Sequence, residues 1–265
     1  MIPPELLALV PGCEQGQPPL LVDALPGGFG RNEVLRIDTL QGRFVWRRRL
    51  GALDRPGAHA TAELAAHRRA AAAGLAPGVV VAAADGGWIL MEFVDAAPWT
   101  EAALDDDTAI EQLGRRLAIL HSLPVPAGVV AADAPAMADG YLAVTRTRDQ
   151  AVASAQQSLA NEIRQITDDL AADTQRSVLV HGDLMASNLL GPLPVLVDWE
   201  YAQLAEPAWD LACLLSYYPF LEARQDRLLG SAGLDDAHTR ARVKLQCRRF
   251  LLLNRLWELA YPSPG

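Results

Sequence analysis

Residues 178–200 read VLVHGDLMASNLLGPLPVLVDWE, and this stretch decides how the rest of the 265-residue chain is interpreted. The apolar triplet Val178, Leu179, Val180 runs into His181-Gly182-Asp183. A polar loop follows and ends at Asn188, and a second apolar run delivers Asp198 and Glu200. Short β-rich runs bounded by turn formers are the mark of strands, so two strands are expected to aim acidic groups at one place. Asp183, just past the first strand, is placed to take a proton from a hydroxyl. Asn188 and Asp198 offer the hard oxygen donors that Mg²⁺ prefers. A lone Asp or Asn in a loop is ordinarily a turn former or a helix cap. Three such groups, each beside an apolar run, point instead to metal-assisted proton transfer.

Phosphoryl transfer from ATP asks for that combination: a base for the acceptor hydroxyl, then an Asn and an Asp that hold metal. His181, Asp183 and Asn188 keep the spacing H-x-D-x-x-x-x-N. HGDLMASNLL at 181–190 and VLVDWEYAQLAEPAWDLACLL at 195–215 resemble the aminoglycoside phosphotransferase and choline kinase superfamily. The form DWEYA is most similar to the thiamine kinase and choline/ethanolamine kinase branch. The resemblance implies an α+β, bilobal, protein-kinase-like fold, with a small N-terminal antiparallel β-sheet lobe carrying one helix and a larger, mainly helical C-terminal lobe. It also implies ATP and Mg²⁺ as cofactors and a small-molecule alcohol as acceptor. Asp183 would be the catalytic base, with His181 beside it supporting the loop. Asn188 and Asp198 would be the Mg²⁺ ligands and Glu200 a candidate ligand for a second ion. Asp210 would brace the loop from the following helix, although a first-turn acid favoured by the helix dipole is the alternative reading.

Composition narrows the classes further. An apolar content of 51% supports a sizeable core in one large domain or two modest ones. A net charge of −9 argues against a nucleic-acid partner, which needs a basic face. The three cysteines, Cys13, Cys213 and Cys247, show neither disulfide nor zinc spacing, which fits a reducing cytoplasm. The opening MIPPELLALVPGC lacks a basic n-region, and no run of about 20 apolar residues is present, so neither export nor a membrane span is expected. Oligomeric state is left open.

Along the chain, residues 4–10 read as a short helix and 15–26 as an irregular entry. Gly27, Gly28 and Gly30 then lie between strand-like segments, and a second turn falls at Gln41-Gly42, suggesting a hairpin lid over phosphates or a plain flexible turn. The chain has one lysine, Lys244, far from this region, so an arginine must grip the phosphates. Alternation along RFVWRRRL favours Arg47, with Arg48 and Arg49 as competitors. Residues 59–73 are Ala- and Arg-rich and should form a helix whose Glu63, by the resemblance, pairs with Arg47. Two strands joined at Asp85-Gly86-Gly87 complete the sheet. Glu92 to Val94 then falls where the superfamily hinges between lobes and where backbone groups would hold adenine. The lobes are therefore set at 1–94 and 95–265.

Beyond the hinge, 101–123 reads as a helix through Ile110, Leu113, Leu117 and Leu120, then a loop over 124–139 and a long helical stretch over 141–170. Helices are expected at 208–218 and within 235–261. Trp199, Tyr201, Trp209, Tyr217, Tyr218 and Trp257 crowd this lobe, as a cage for a cationic alcohol such as choline or thiamine or as ordinary core. An aminoglycoside or sugar pocket should instead carry several carboxylates, and CRRFLLLNRLWELAYPSPG has only Glu258. A protein kinase is disfavoured because DWE stands where DFG would and no APE segment occurs. A catalytically silent nucleotide-binding regulator should show damage at Asp183, Asn188 or Asp198, and none is present.

Overall fold

The computed structural model describes residues 3–25, 31–173 and 175–262. Helix α1 (Pro4–Leu7) leads into strand β1 (Leu21–Ala24), β2 (Asn32–Thr39) and β3 (Gly42–Arg49). Helix α2 (Ala60–Ala72), β4 (Val79–Ala82) and β5 (Trp88–Glu92) follow. The strands form one antiparallel sheet in the order β1-β2-β3-β5-β4. Alternation along β3 explains what each face does, because successive side chains leave a strand on opposite sides. Phe44 and Trp46 bury against Leu35, Ile37, Leu90, Val10 and Cys13. Arg47 and Arg49 share the other face, buried toward Glu63 of α2.

The large lobe contains α3 (Glu101–Leu104), α4 (Asp107–Ser122), α5 (Ala134–Arg146), α6 (Gln150–Ala155) and α7 (Gln157–Ala171). After these come strands β6 (Val178–Val180), β7 (Leu189–Leu190), β8 (Val195–Leu196) and β9 (Gln203–Ala205). The chain ends in α8 (Ala208–Tyr217), α9 (Gln225–Ala232) and α10 (Ala237–Ala260). Ile110, Leu113, Leu117 and Leu120 are fully buried in the principal core with Leu179, Leu211 and Leu228, as the helical recurrence requires. No helix among the described residues is long and apolar enough to cross a membrane.

Several expectations need correcting. The irregular entry contains β1, an edge strand whose four residues are all exposed, so it has no apolar alternation to read. Residues 101–122 form two helices, because Asp106 leaves the helical region and its carboxylate caps the Ala109 N–H at 2.7 Å. The supposed loop before Asp139 is already helical from Ala134, capped by Asp133 onto Ala136 N at 2.9 Å, with a proline in the first turn where it is tolerated. A second cap, Asp149, splits the long stretch into α5 and α6. Helix α9 was not anticipated. Strand β6 pairs with β9, and β7 with β8, so the two apolar runs around the HGD motif are strands as expected and lie in separate sheets.

Candidate active site

Asp183 lies in the loop after β6, and that loop is built from the backbone outward. Gly182 has φ of 82°, and a Cβ at this position would collide with the Tyr201 carbonyl, so only glycine fits between His181 and Asp183. Asp210, fully buried in the first turn of α8, accepts the His181 N–H at 3.1 Å and the Gly182 N–H at 2.9 Å. His121 Nε2, at the end of α4, faces the same carboxylate at 2.9 Å. The bracing contact that the sequence suggests for Asp210 is therefore present. His121 is its third donor, a role its position alone did not indicate.

His181 is fully buried, and its ring lies 4.7 Å from the Trp199 ring. Its Nε2 donates to Val197 O at 2.9 Å, and Nδ1 accepts the Asp183 N–H at 3.4 Å. Burial holds its pKa below the usual histidine value, against the pull of Asp210. His181 lines neither of the two cavities described below and stands behind Asp183 as a support for the loop, not as a group that touches substrate. Both ring nitrogens are committed to joining the loop to the strand that leads to Asp198.

Asp183 opens onto a cavity of about 380 Å³. Tyr217 donates its hydroxyl to Asp183 Oδ1 at 3.2 Å, and Asn188 Nδ2 donates to Asp183 Oδ2 at 3.3 Å and to the Asp183 carbonyl at 2.9 Å. Desolvation, followed by the charge of Asp198, raises the Asp183 pKa to about 7, against the lowering effect of those hydrogen bonds. Tyr217 itself is held protonated, chiefly by burial and then by Asp183. Asn188 keeps its side-chain oxygen without a partner among the described residues. Asp198 is the described non-glycine residue with positive φ, 63°, a backbone conformation sustained only where surrounding contacts impose it. Its Oδ1 accepts from Arg47 at 3.0 Å.

A second cavity, of about 370 Å³, separates the sheet from the large lobe. Val34, Val45, Arg47, Glu63, Met91, Glu92, Phe93 and Val94 line it from above, and Asn188, Leu190, Val197, Asp198 and Trp199 from below. Asn188 and Asp198 line both cavities. At the hinge the Glu92 N–H goes to Gly78 O and the Phe93 N–H to Arg43 O, so those donors are spent within the protein. Among the described residues the Val94 N–H has no such partner. Gly27, Gly28 and Gly30 lie outside the described residues.

The charged side chains form a ladder between the lobes. Glu63 receives Arg47 and Arg49 on its two oxygens, Arg47 continues to Asp198, and Arg55 donates to Glu200 at 2.7 Å. Arg49, considered only as a competitor of Arg47, shares its carboxylate because residues two apart lie on one face of a strand. No sequence signal marks Arg55. Glu200 is thus engaged by Arg55, as Asp198 is by Arg47, and both line the Asp183 cavity. No group of three or more His, Cys, Asp or Glu with metal-binding geometry occurs among the described residues. The oxygens of Asn188 and Asp198, with Asp183 beside them, suit Mg²⁺, which takes one or two protein ligands and completes its shell with water and phosphate.

The aromatic residues divide. Tyr201, Trp209, Tyr217 and Trp257 line the Asp183 cavity, together with Tyr141 and Phe250, which were not anticipated. Trp199 instead is core beneath His181 and floors the other cavity, and the Tyr218 hydroxyl accepts the Ala186 N–H at 2.9 Å. Neither is part of a cage.

A two-lobed fold with a nucleotide-sized cleft between lobes and an acid-bearing pocket below defines a kinase-like phosphotransferase. Residues 22–244 match the model of the phosphotransferase enzyme family, and the chain belongs to that family. No curated protein sequence matches it. Among solved structures, a choline/ethanolamine kinase family protein from Mesorhizobium loti superposes with a TM-score of 0.76 at 24% identity, over 97% of this chain and 84% of that one. Choline kinase LicA from Streptococcus pneumoniae gives 0.76 at 16% identity, over 94% and 87%. A spectinomycin phosphotransferase, solved with ADP and spectinomycin, gives 0.67 at 14% identity, over 96% and 85%. These likenesses establish the protein-kinase-like fold.

Proposed function

We propose that the chain is an ATP- and Mg²⁺-dependent kinase that phosphorylates the primary hydroxyl of a small alcohol of the choline, ethanolamine or thiamine type. The observation that carries this reading is the position of Asn188 and Asp198 between two cavities, with Asp183 facing only one of them. Residues 1–94 form the nucleotide lobe and 95–265 the catalytic and acceptor lobe. ATP occupies the interlobe cavity, with adenine against the backbone of Glu92 to Val94 and phosphates toward Arg47, which Glu63 holds in place. Mg²⁺, when bound by Asn188 and Asp198, neutralises charge on the transferring phosphoryl group.

Asp183 then accepts the hydroxyl proton of an alcohol in the lower cavity and points its oxygen at the γ-phosphoryl group. Tyr217 and Asn188 hold the carboxylate for that task, while Asp210 and His181 fix its backbone. The aromatic wall of Tyr141, Tyr201, Trp209 and Trp257 favours an acceptor with an apolar or cationic body, since ring faces attract cations by about 0.5 to 2 kcal/mol each. Glu258 is the carboxylate of α10 on this wall, which fits a polycationic antibiotic poorly. Three free cysteines accord with a reducing cytoplasm.

The test is ATP consumption with Mg²⁺ against thiamine, choline, ethanolamine, amino sugars and aminoglycosides. Turnover with one of the first three is expected. Turnover only with an aminoglycoside or sugar would reassign the acceptor. Nucleotide binding with no turnover on any member would favour a silent regulatory protein.

A further inference from the structure

Arg55 lies in the segment that joins β3 to α2, at the start of a tight turn, Arg55-Pro56-Gly57-Ala58. The Arg55 and Ala58 N–H groups each donate to the other's carbonyl at 2.9 Å. Proline followed by a glycine at φ 77° is the signature of a type II turn, so its shape is fixed by its residues. The turn belongs to the small lobe by sequence and packs on the large one. Tyr141 of α5 donates its hydroxyl to Pro56 O at 3.1 Å. A Cβ on Gly57 would meet the Met137 side chain, and one on Gly140 would meet the Pro56 ring, so turn and helix are in close contact. Arg55 Nη2 donates to Glu200 at 2.7 Å, with both side chains largely buried. Met137, Tyr141 and Glu200 all line the Asp183 cavity, and the turn touches each of them.

The same turn leads into α2. Asp54 Oδ1 accepts the Ala60 N–H at 3.0 Å, in the first turn of the helix, where Glu63 sits and receives Arg47 and Arg49. The far end of α2 is fixed separately: Arg116 donates to Gly74 O, and the Leu196 N–H to Leu75 O at 2.8 Å. What the turn controls is therefore the near end, the one that carries Glu63. We propose that Arg55 is a positioning residue that ties this turn to Glu200, and that the tie sets Glu63, and through it Arg47, for the nucleotide while bracing the wall of the acceptor cavity. This rests on the reading that the interlobe cavity receives ATP and the Asp183 cavity the acceptor. A buried arginine–carboxylate pair holds such a tie only while both charges remain, because either one alone is left uncompensated. Loss of the pair loosens the turn and the start of α2 as a local opening, not as global unfolding.

The test is amide hydrogen exchange, with titration calorimetry of Mg²⁺-ATP, on the full chain and its Arg55→Ala and Arg55→Lys variants. In Arg55→Ala, residues 57–63 should exchange about tenfold faster while residues 70–75 are unchanged. The dissociation constant for Mg²⁺-ATP should rise about fivefold, although Arg55 lines neither cavity. Arg55→Lys, which keeps a cation against Glu200, should return most of both effects. Where an alcohol turns over, the KM for ATP should carry the loss more than kcat; a merely structural role would lower the active fraction, and so kcat, and leave KM in place. Unchanged exchange at 57–63, or faster exchange with unchanged Mg²⁺-ATP binding, overturns the proposal. A lysine variant that behaves as the alanine one overturns the part given to the Glu200 contact. If the unaltered chain binds no Mg²⁺-ATP, the proposed function fails, and the exchange result alone decides the tie.

Discussion

Arg47 of the small lobe donates to Asp198 of the large lobe at 3.0 Å, and the same guanidinium is held from the other side by Glu63. One arginine thus links the helix of the upper lobe to the aspartate that stands between the two cavities. Side-chain exposure is 10% for Arg47 and 4% for Glu63, so this is an ion pair in a low-dielectric setting, where breaking it costs more than a surface bridge would.

The partners are not equivalent. Glu63 serves both Arg47 and Arg49, so Glu63→Gln takes the charge partner from Arg49 and leaves Arg47 with Asp198 alone, and should lower the unfolding free energy by about 3 kcal/mol or more. Arg47→Ala leaves Glu63 paired to Arg49 and should cost less stability, but it should raise the KM for ATP at least about tenfold through the lost phosphate contact. Urea denaturation and ATP kinetics on the two variants check this; equal destabilisation would contradict the shared-carboxylate arrangement.

Asp210 accepts from His181 N, Gly182 N and His121 Nε2, and its carboxylate is wholly buried. Asp210→Ala orphans those donors, each at about 1 to 3 kcal/mol. A fall in unfolding free energy of at least about 3 kcal/mol is expected, with loss of turnover, because the Asp183 loop loses its anchor. Asp210→Asn should fall between, since the amide keeps one acceptor oxygen but sets N–H against N–H. Thermal melts and activity assays read both.

The raised pKa of Asp183 has two opposite consequences. The group is raised from 3.8 to about 7, so between those values the folded chain binds more protons than the unfolded chain. Stability contributed by this group is therefore greatest at low pH and falls as pH rises through that window. Activity runs the other way, because the base must be ionised: kcat/KM should fall as pH drops below about 7. A bound divalent cation beside Asp198 opposes the rise, so the acid limb of kcat should lie at lower pH than that of kcat/KM. Asp183→Asn should abolish this group's share of the stability slope. Denaturation midpoints from pH 4 to 8, with pH–rate profiles, decide the point.

The catalytic loop was legible because its chemistry is local: His181, Asp183 and Asn188 lie within one turn-and-strand segment, and spacing alone places them together. Arg47 was legible from strand alternation, and the antiparallel sheet from its turns, Gln41-Gly42 and Asp85-Gly86-Gly87. What escaped depends on side chains meeting from distant positions. Arg55 reaches Glu200 from a loop 145 residues away, and Arg31 reaches Trp257 across the lobes, with nothing in either neighbourhood to mark it. The helix breaks at Asp106, Asp133 and Asp149 were present as cap residues, but the surrounding Ala-rich composition masked them, since alanine favours helix on both sides of a break.

In the proposed mechanism Asp183 is the base, while Asn188 and Asp198 serve nucleotide and metal. Asp183→Asn keeps the volume and a hydrogen-bonding oxygen, so it isolates the proton-accepting role. With the acceptor identified in the turnover screen, kcat should fall about 10²- to 10⁴-fold, while the dissociation constant for Mg²⁺-ATP changes by less than about threefold. A variant that keeps more than about a tenth of the kcat, or that loses nucleotide binding in proportion to activity, would contradict the account.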